Sequence, residues 1–140
     1  MKNITVIGSG TMGNGIAHCF AQNQFNVNLV DLSENQLKKA VSTINKNLDR
    51  QVAKKIITTL QKSETLDRIQ TSTVLENSLK ETDLIVEAAS ENIKIKAELF
   101  KKMDSFAPSH CILVRILHLS PSPNLGLLLN VQKKLLECIL

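Results

Sequence analysis

Apolar and polar positions divide the chain into short β-branched runs separated by longer stretches of helical spacing. Lys2 to Ile7, with Ile4-Thr5-Val6-Ile7 at its centre, predicts a buried strand. Ile16, Ala17 and Phe20 then recur at the spacing of a helix over Thr11 to Gln22, and Asn26 to Asp31 predicts a second strand. Ser33 offers an N-cap hydroxyl and Glu34 a first-turn acid. Behind them Leu37, Ala40, Val41, Ile44, Leu48 and Val52 mark a long amphipathic helix, with Lys38, Lys39, Lys46 and Arg50 toward water. Past Lys54-Lys55-Ile56-Ile57 the pattern gives a helix over Thr58 to Arg68, a short strand over Ile69 to Thr71 and a helical turn over Leu75 to Lys80. Leu84 to Glu87 predicts a buried parallel strand. Glu91 then opens a helix with Ile95, Leu99 and Met103 inward, and Cys111 to Val114 follows Pro108 as the last strand. Such alternation predicts a doubly wound parallel sheet of four or five strands in a three-layer α/β/α arrangement.

Candidate chemistry sits at the first strand-to-helix turn, Gly8-Ser9-Gly10-Thr11-Met12-Gly13. Strand, then GxGxxG, then helix is the context in which the glycines mark a dinucleotide site of the Rossmann type. Gly8 permits the tight turn, Gly10 lets backbone approach a pyrophosphate, and Gly13 lets the helix close on the strand. The free N–H groups and positive end of the helix then face the phosphates. Asp31 ends the second strand about 20 residues on, where a ribose hydroxyl of the adenosine half belongs. A carboxylate there repels a 2′-phosphate, so NAD(H) is expected over NADP. Ala88-Ala89-Ser90 is small enough to pass close to the cofactor on its nicotinamide side. Glu91 either caps its helix or reaches a ribose, and Lys96, one turn along, pairs with Glu91 or Asn92. The long crossover helix is either plain support or one wall of a substrate groove. Lys54 and Lys55 are then either a solvated pair or contacts for a phosphorylated carrier.

Composition narrows the alternatives. With 140 residues the chain is one modest domain. Its 17 Lys and Arg against 13 Asp and Glu give a net charge of +4, and the excess is scattered. Four Phe and no Tyr or Trp leave no stacking platform, which argues against nucleic acid. No apolar run approaches roughly 18 residues, which argues against a membrane span. Cys19, Cys111 and Cys138 match no metal spacing and are expected to be buried thiols in a reducing compartment, the cytoplasm.

Ile7–Ala21, Val27–Ser33 and Asp83–Asp104 together resemble the N-terminal NAD-binding domain of the 3-hydroxyacyl-CoA dehydrogenases, the bacterial 3-hydroxybutyryl-CoA type above all. The resemblance covers Met1 to Val114. It implies that Gly8, Ser9, Gly10, Thr11, Met12 and Gly13 hold the pyrophosphate, that Asp31 holds the adenine ribose, and that Glu91 and Lys96 lie on the NAD side. A serine and a lysine near coenzyme A correspond to Asn47 and Lys54, and Asn47 departs from that pattern. The family's reaction oxidises a (3S)-3-hydroxyacyl-CoA to the 3-oxoacyl-CoA with NAD, using a histidine as base and a glutamate to orient it. The family is homodimeric through a helical domain.

After Val114 the resemblance stops: the family continues SNTSSLSIT, whereas this chain reads RILHLSPSP. Loss of one base explains the change, since TCG AAT ACT TCA TCT CTC read one base late encodes Arg115-Ile116-Leu117-His118-Leu119. Residues 115–140 are therefore expected to be a frameshifted tail, with His118 not catalytic and Leu125 to Leu140 an amphipathic or largely apolar helix that docks on the sheet edge, associates nonspecifically or remains mobile. The family's catalytic and dimerising groups all lie beyond Val114. The expectation is a chain with no catalytic residues and no metal that binds NAD, and acyl-CoA weakly. The alternatives are a nonenzymatic interaction module or an unstable pseudogene product.

Overall fold

The computed structural model describes residues 1–89, 93–117 and 128–131, with backbone alone at 93–96, 117 and 128–131. Strands β1 (Asn3–Ile7), β2 (Asn26–Val30), β3 (Ile69–Ser72), β4 (Leu84–Glu87), β5 (Ile112–Leu117) and β6 (Leu128–Val131) form one sheet. Its order is β3-β2-β1-β4-β5-β6, with the first five strands parallel and β6 antiparallel to β5. Helices α1 (Thr11–Gln22), α2 (Glu34–Ala53), α3 (Thr59–Asp67), α4 (Leu75–Leu79) and α5 (Ile93–Phe106) complete the three layers. The chain reverses strand order between β1 and β4, which opens a crevice at the carboxyl ends of those two strands.

Alternation along each strand loads both faces, as a parallel sheet covered on two sides requires. Ile4, Val6, Val27, Leu29, Leu84 and Val86 meet Ala17 and Ala21 of α1 and Leu37, Ala40, Ile44 and Leu48 of α2. Ile7, Val30, Ile85 and Cys111 meet Leu75 and Leu79 of α4 and Met103 of α5, with Leu99 packed alongside. The apolar stripe read along α2 is thus its buried face, with Val41 and Val52 at its half-buried margin.

Local signals set the ends of the elements. Ser33 Oγ accepts from the Gln36 N–H at 3.3 Å and starts α2. Thr58 and Gln61 cap each other at the start of α3, where Gln61 N–H donates to Thr58 Oγ1 at 3.1 Å and Thr58 N–H to Gln61 Oε1 at 2.8 Å. Lys62 pairs with Asp49 and ties α3 back to α2.

Three expectations are corrected. Strand β5 extends beyond Val114 to Leu117, because Val114, Arg115, Ile116 and Leu117 find partners in β6. Within the segment Leu125 to Leu140, the described residues Leu128–Val131 are a strand on the sheet edge and not a helix, since β5 offers them an open ladder of backbone groups. Cys19 is exposed, not buried: on α1 it falls between Ala17 and Ala21, both of which face the sheet. Cys111 is buried as expected. His118, Cys138 and Glu91 lie outside the described residues, as do the side chains of Ile95 and Lys96.

Candidate dinucleotide site

The turn between β1 and α1 is held from three sides. Gly8 N–H donates to Val30 O at 2.8 Å, and Ala88 N–H donates to Ile7 O at 2.8 Å, so the ends of β2 and β4 both fasten it. Gly8 has φ +97°, and a Cβ there would stand 2.7 Å from Ala88 O and 2.9 Å from Ala89 Cα. Both the backbone angle and the close approach demand glycine. A Cβ on Gly13 would lie 1.7 Å from Gly8 O, so α1 sits against the turn with no room for a methyl group. Gly10 differs: nothing lies within 4 Å of its Cβ position, and the space in front of it is open.

That space faces the start of α1. Gly10 is the N-cap, its extended backbone supplies no side-chain cap, and the first turn carries no acid. The N–H groups of the first helical turn have no intrahelical carbonyl, and the helix brings its positive end to the same place. Thr11 and Met12 are exposed beside them. Open space at Gly10, uncapped N–H groups and a positive helix end fit a pyrophosphate.

Asp31 follows β2 directly and turns back across the glycine turn. Its Oδ2 accepts from Ser9 N–H at 2.8 Å and Ser9 Oγ at 2.7 Å, and its Oδ1 accepts from Ser33 N–H at 3.0 Å. Partial burial pushes its pKa up, but hydrogen bonds from Ser33, Ser9 and Leu32 outweigh burial and hold the carboxyl below its ordinary value. The group is a carboxylate at neutral pH, and a carboxylate offers about four acceptor positions. Hydrogen bonds from Ser9, Ser33 and Leu32 already engage the carboxylate on both oxygens.

The structure therefore brings Gly8, Ser9, Gly10, Gly13 and Asp31 into one cluster at the strand-order reversal. Asn47 and Lys54 stand apart from it. By helix rise they lie roughly 20 and 30 Å along α2 from its Ser33 cap, nearly two full turns from each other on one face. Asn47 accepts a 3.4 Å hydrogen bond from Arg50, and Lys54 is exposed at the helix C-cap.

Two features of this region are not evident from the sequence. Leu32 is 77% exposed and Val74 48% exposed, and they follow β2 and β3 at the carboxyl edge of the sheet, where Asp31 also lies. Glu87 is only 1% exposed at the end of β4. Its Oε2 accepts from Arg115 Nε at 3.0 Å and its Oε1 from Ala89 N–H at 3.1 Å. A lone glutamate closing the run Leu84-Ile85-Val86 was the available signal. A groove of about 680 Å³, lined by Asn3, Asn26, Asn28, Gln70 and Asn77 among others, includes none of the glycine-turn residues. Among the described residues no group of His, Cys, Asp and Glu is arranged to hold a metal ion, and no helix is long and apolar enough to cross a membrane.

Residues 3–115 match the family model described as 3-hydroxyacyl-CoA dehydrogenase, NAD binding domain. The mitochondrial hydroxyacyl-coenzyme A dehydrogenase of Sus scrofa is 44% identical over 118 residues, covering 80% of this chain and 37% of that protein. The 3-hydroxybutyryl-CoA dehydrogenase of Bradyrhizobium diazoefficiens is 43% identical over 103 residues, covering 74% and 35%. The crystal structure of (S)-3-hydroxybutyryl-CoA dehydrogenase from Ralstonia eutropha superposes with a TM-score of 0.77 at 29% identity, covering 94% of this chain and 53% of that one. The chain thus spans little more than a third of the length of these curated relatives. By the match along residues 3–115 and the glycine turn at its start, this chain belongs to the 3-hydroxyacyl-CoA dehydrogenase family, as its NAD-binding domain.

Proposed function

We propose that the chain binds NAD(H) across the β1–β4 crevice and supplies the cofactor half of a 3-hydroxyacyl-CoA dehydrogenase. The observation that carries this reading is the cradle itself: Gly8 and Gly13 closed against backbone, Gly10 open, and an uncapped helix N-terminus above it. In this reading Gly8, Ser9, Gly10, Thr11, Met12 and Gly13 surround the pyrophosphate. Asp31 accepts from the adenosine ribose, and Leu32 and Val74 give the adenine an apolar seat. Glu91 and Lys96 belong to the nicotinamide side.

When bound, NAD supplies the hydride acceptor. The residues of this chain bind and orient it; the proton from a 3-hydroxyl goes to a histidine that the family carries beyond the position of Val114. Residues 115–140 do not reproduce that stretch, so the 140-residue chain binds cofactor without oxidising substrate. Asn47 and Lys54, two turns apart on one face of α2, provide at most a weak coenzyme A contact. The cytoplasm, as the reducing compartment, completes the reading.

Titrating NADH and NADPH side by side, with (3S)-3-hydroxybutyryl-CoA turnover assayed in parallel, tests it. NADH is expected to saturate and NADPH to bind at least about tenfold more weakly, because Asp31 repels a 2′-phosphate. Equal affinities would overturn the role of Asp31. Turnover by the isolated chain would overturn the division between binding and chemistry.

A further inference from the structure

The structure assigns Arg115 as a positioning residue for the cofactor cradle, acting through Glu87 on the Ala88–Ala89 backbone. This rests on the dinucleotide reading above and adds a part that the family pattern lacks, since serine stands in the family where this chain has arginine.

Ile7, Glu87 and Arg115 occupy one row across β1, β4 and β5 at the carboxyl edge of the sheet. Alternation turns these side chains to the face that carries α5. There the Arg115 guanidinium lies 4.8 Å from the centre of the Phe100 ring and donates to Glu87 through Nε. With one face on the ring and one edge on the carboxylate, the arginine is fixed in two directions. The Glu87 carboxylate is divided: Oε2 takes Arg115, and Oε1 takes the Ala89 N–H. That second bond sets where the chain goes on leaving β4.

The consequence reaches the cofactor site because Ala88 and Ala89 are the wall against which Gly8 is packed. The Cβ position of Gly8 is 2.7 Å from Ala88 O, so even a small shift of this backbone moves the floor of the turn or opens a gap beneath it. A buried carboxylate without its cation would turn toward water and release Ala89. The arginine therefore acts at a distance from the phosphates, through one carboxylate and one amide.

The test is NADH affinity at low temperature, where the variants are folded. Arg115→Met alone strands a buried charge and can fail to fold. The decisive pair is therefore Arg115→Lys, which keeps a cation within reach of Glu87, and the double variant Glu87→Met with Arg115→Met, which buries no charge, removes the acceptor of the Ala89 N–H and keeps an aliphatic contact on Phe100. Circular dichroism establishes the fold of each. The double variant is expected to bind NADH about tenfold more weakly while Arg115→Lys stays within about threefold of the parent. A folded double variant that binds as tightly as the parent overturns the assignment, as does a lysine variant no better than the double. If the parent itself fails to bind NADH, the dinucleotide reading has failed instead, and the two failures are distinct.

Discussion

At Gly13 one methyl group decides whether helix and turn can coexist. Gly13→Ala places its Cβ 1.7 Å from the backbone oxygen of Gly8, so α1 must move bodily. The expected loss is about 3 kcal/mol or more, the upper end of overpacking effects, read from urea unfolding. Gly15, two residues on in the same helix, has nothing within 4 Å of its Cβ position. Gly15→Ala is therefore expected to stabilise by about 0.5–1 kcal/mol through helix propensity alone. Equal effects at the two positions would contradict this account of the turn. The glycines and Asp31 were legible in the sequence because their residue types have few other uses at that spacing. The second role of Asp31, gripping Ser9 through both its N–H and its hydroxyl, was not legible, because it depends on the β1–β2 register. Glu87 was hidden for a related reason. Its partner Arg115 is distant in sequence and adjacent only through β4–β5 pairing.

At the scale of elements, two helices end in the same six-to-one and five-to-two hydrogen-bonded turn, neither with glycine at the left-handed position. In α1, Phe25 N–H donates to Phe20 O and Gln24 N–H to Ala21 O, with Gln24 at φ 70°. The Phe20 and Phe25 rings meet edge to face at 5.6 Å and give this end the apolar clasp that such turns favour. In α2, Ile56 N–H donates to Gln51 O and Lys55 N–H to Val52 O, with Lys55 at φ 58°. Ile56 stays 65% exposed, so that clasp is missing. Lys55→Gly relieves the left-handed strain on an exposed residue, and a gain of about 0.5–1 kcal/mol is expected in urea unfolding. A loss would mean that Lys55 makes a contact that its exposure does not reveal. The helices themselves were legible because their apolar spacing and caps are local. The reach of β5 to Leu117 and the strand at Leu128–Val131 were not, since edge pairing depends on which backbone groups the rest of the sheet leaves open.

Across the whole molecule, the sheet is fastened at its amino edge by Asp83. Its Oδ2 accepts from Lys2 N–H at 2.6 Å and Asn3 N–H at 3.0 Å, and His110 Nε2 lies 3.2 Å from Oδ1, so β1, β4 and the approach to β5 meet at one carboxylate. The bonds from Asn3 and Lys2 lower its pKa from 3.8 to about 2. A depressed carboxylate stabilises the fold above its unfolded pKa, and that contribution is lost as pH falls from near 3.8 to about 2. Asp83→Asn is therefore expected to melt below the parent at about pH 7, with the gap closing as the pH approaches 2. A gap that persists into that acid range would show that the residue acts by something other than its charge.

The central claim is that this chain carries a working NAD cradle, and direct titration of NADH fluorescence against the 140-residue protein and its Asp31→Ala variant addresses it most simply. The account predicts saturable enhancement by the parent, weakened at least about tenfold in the variant by loss of a carboxylate hydrogen bond to the ribose and of the grip on Ser9. A cooperatively folded parent that leaves NADH fluorescence unchanged, or a variant that binds as well as the parent, would contradict it.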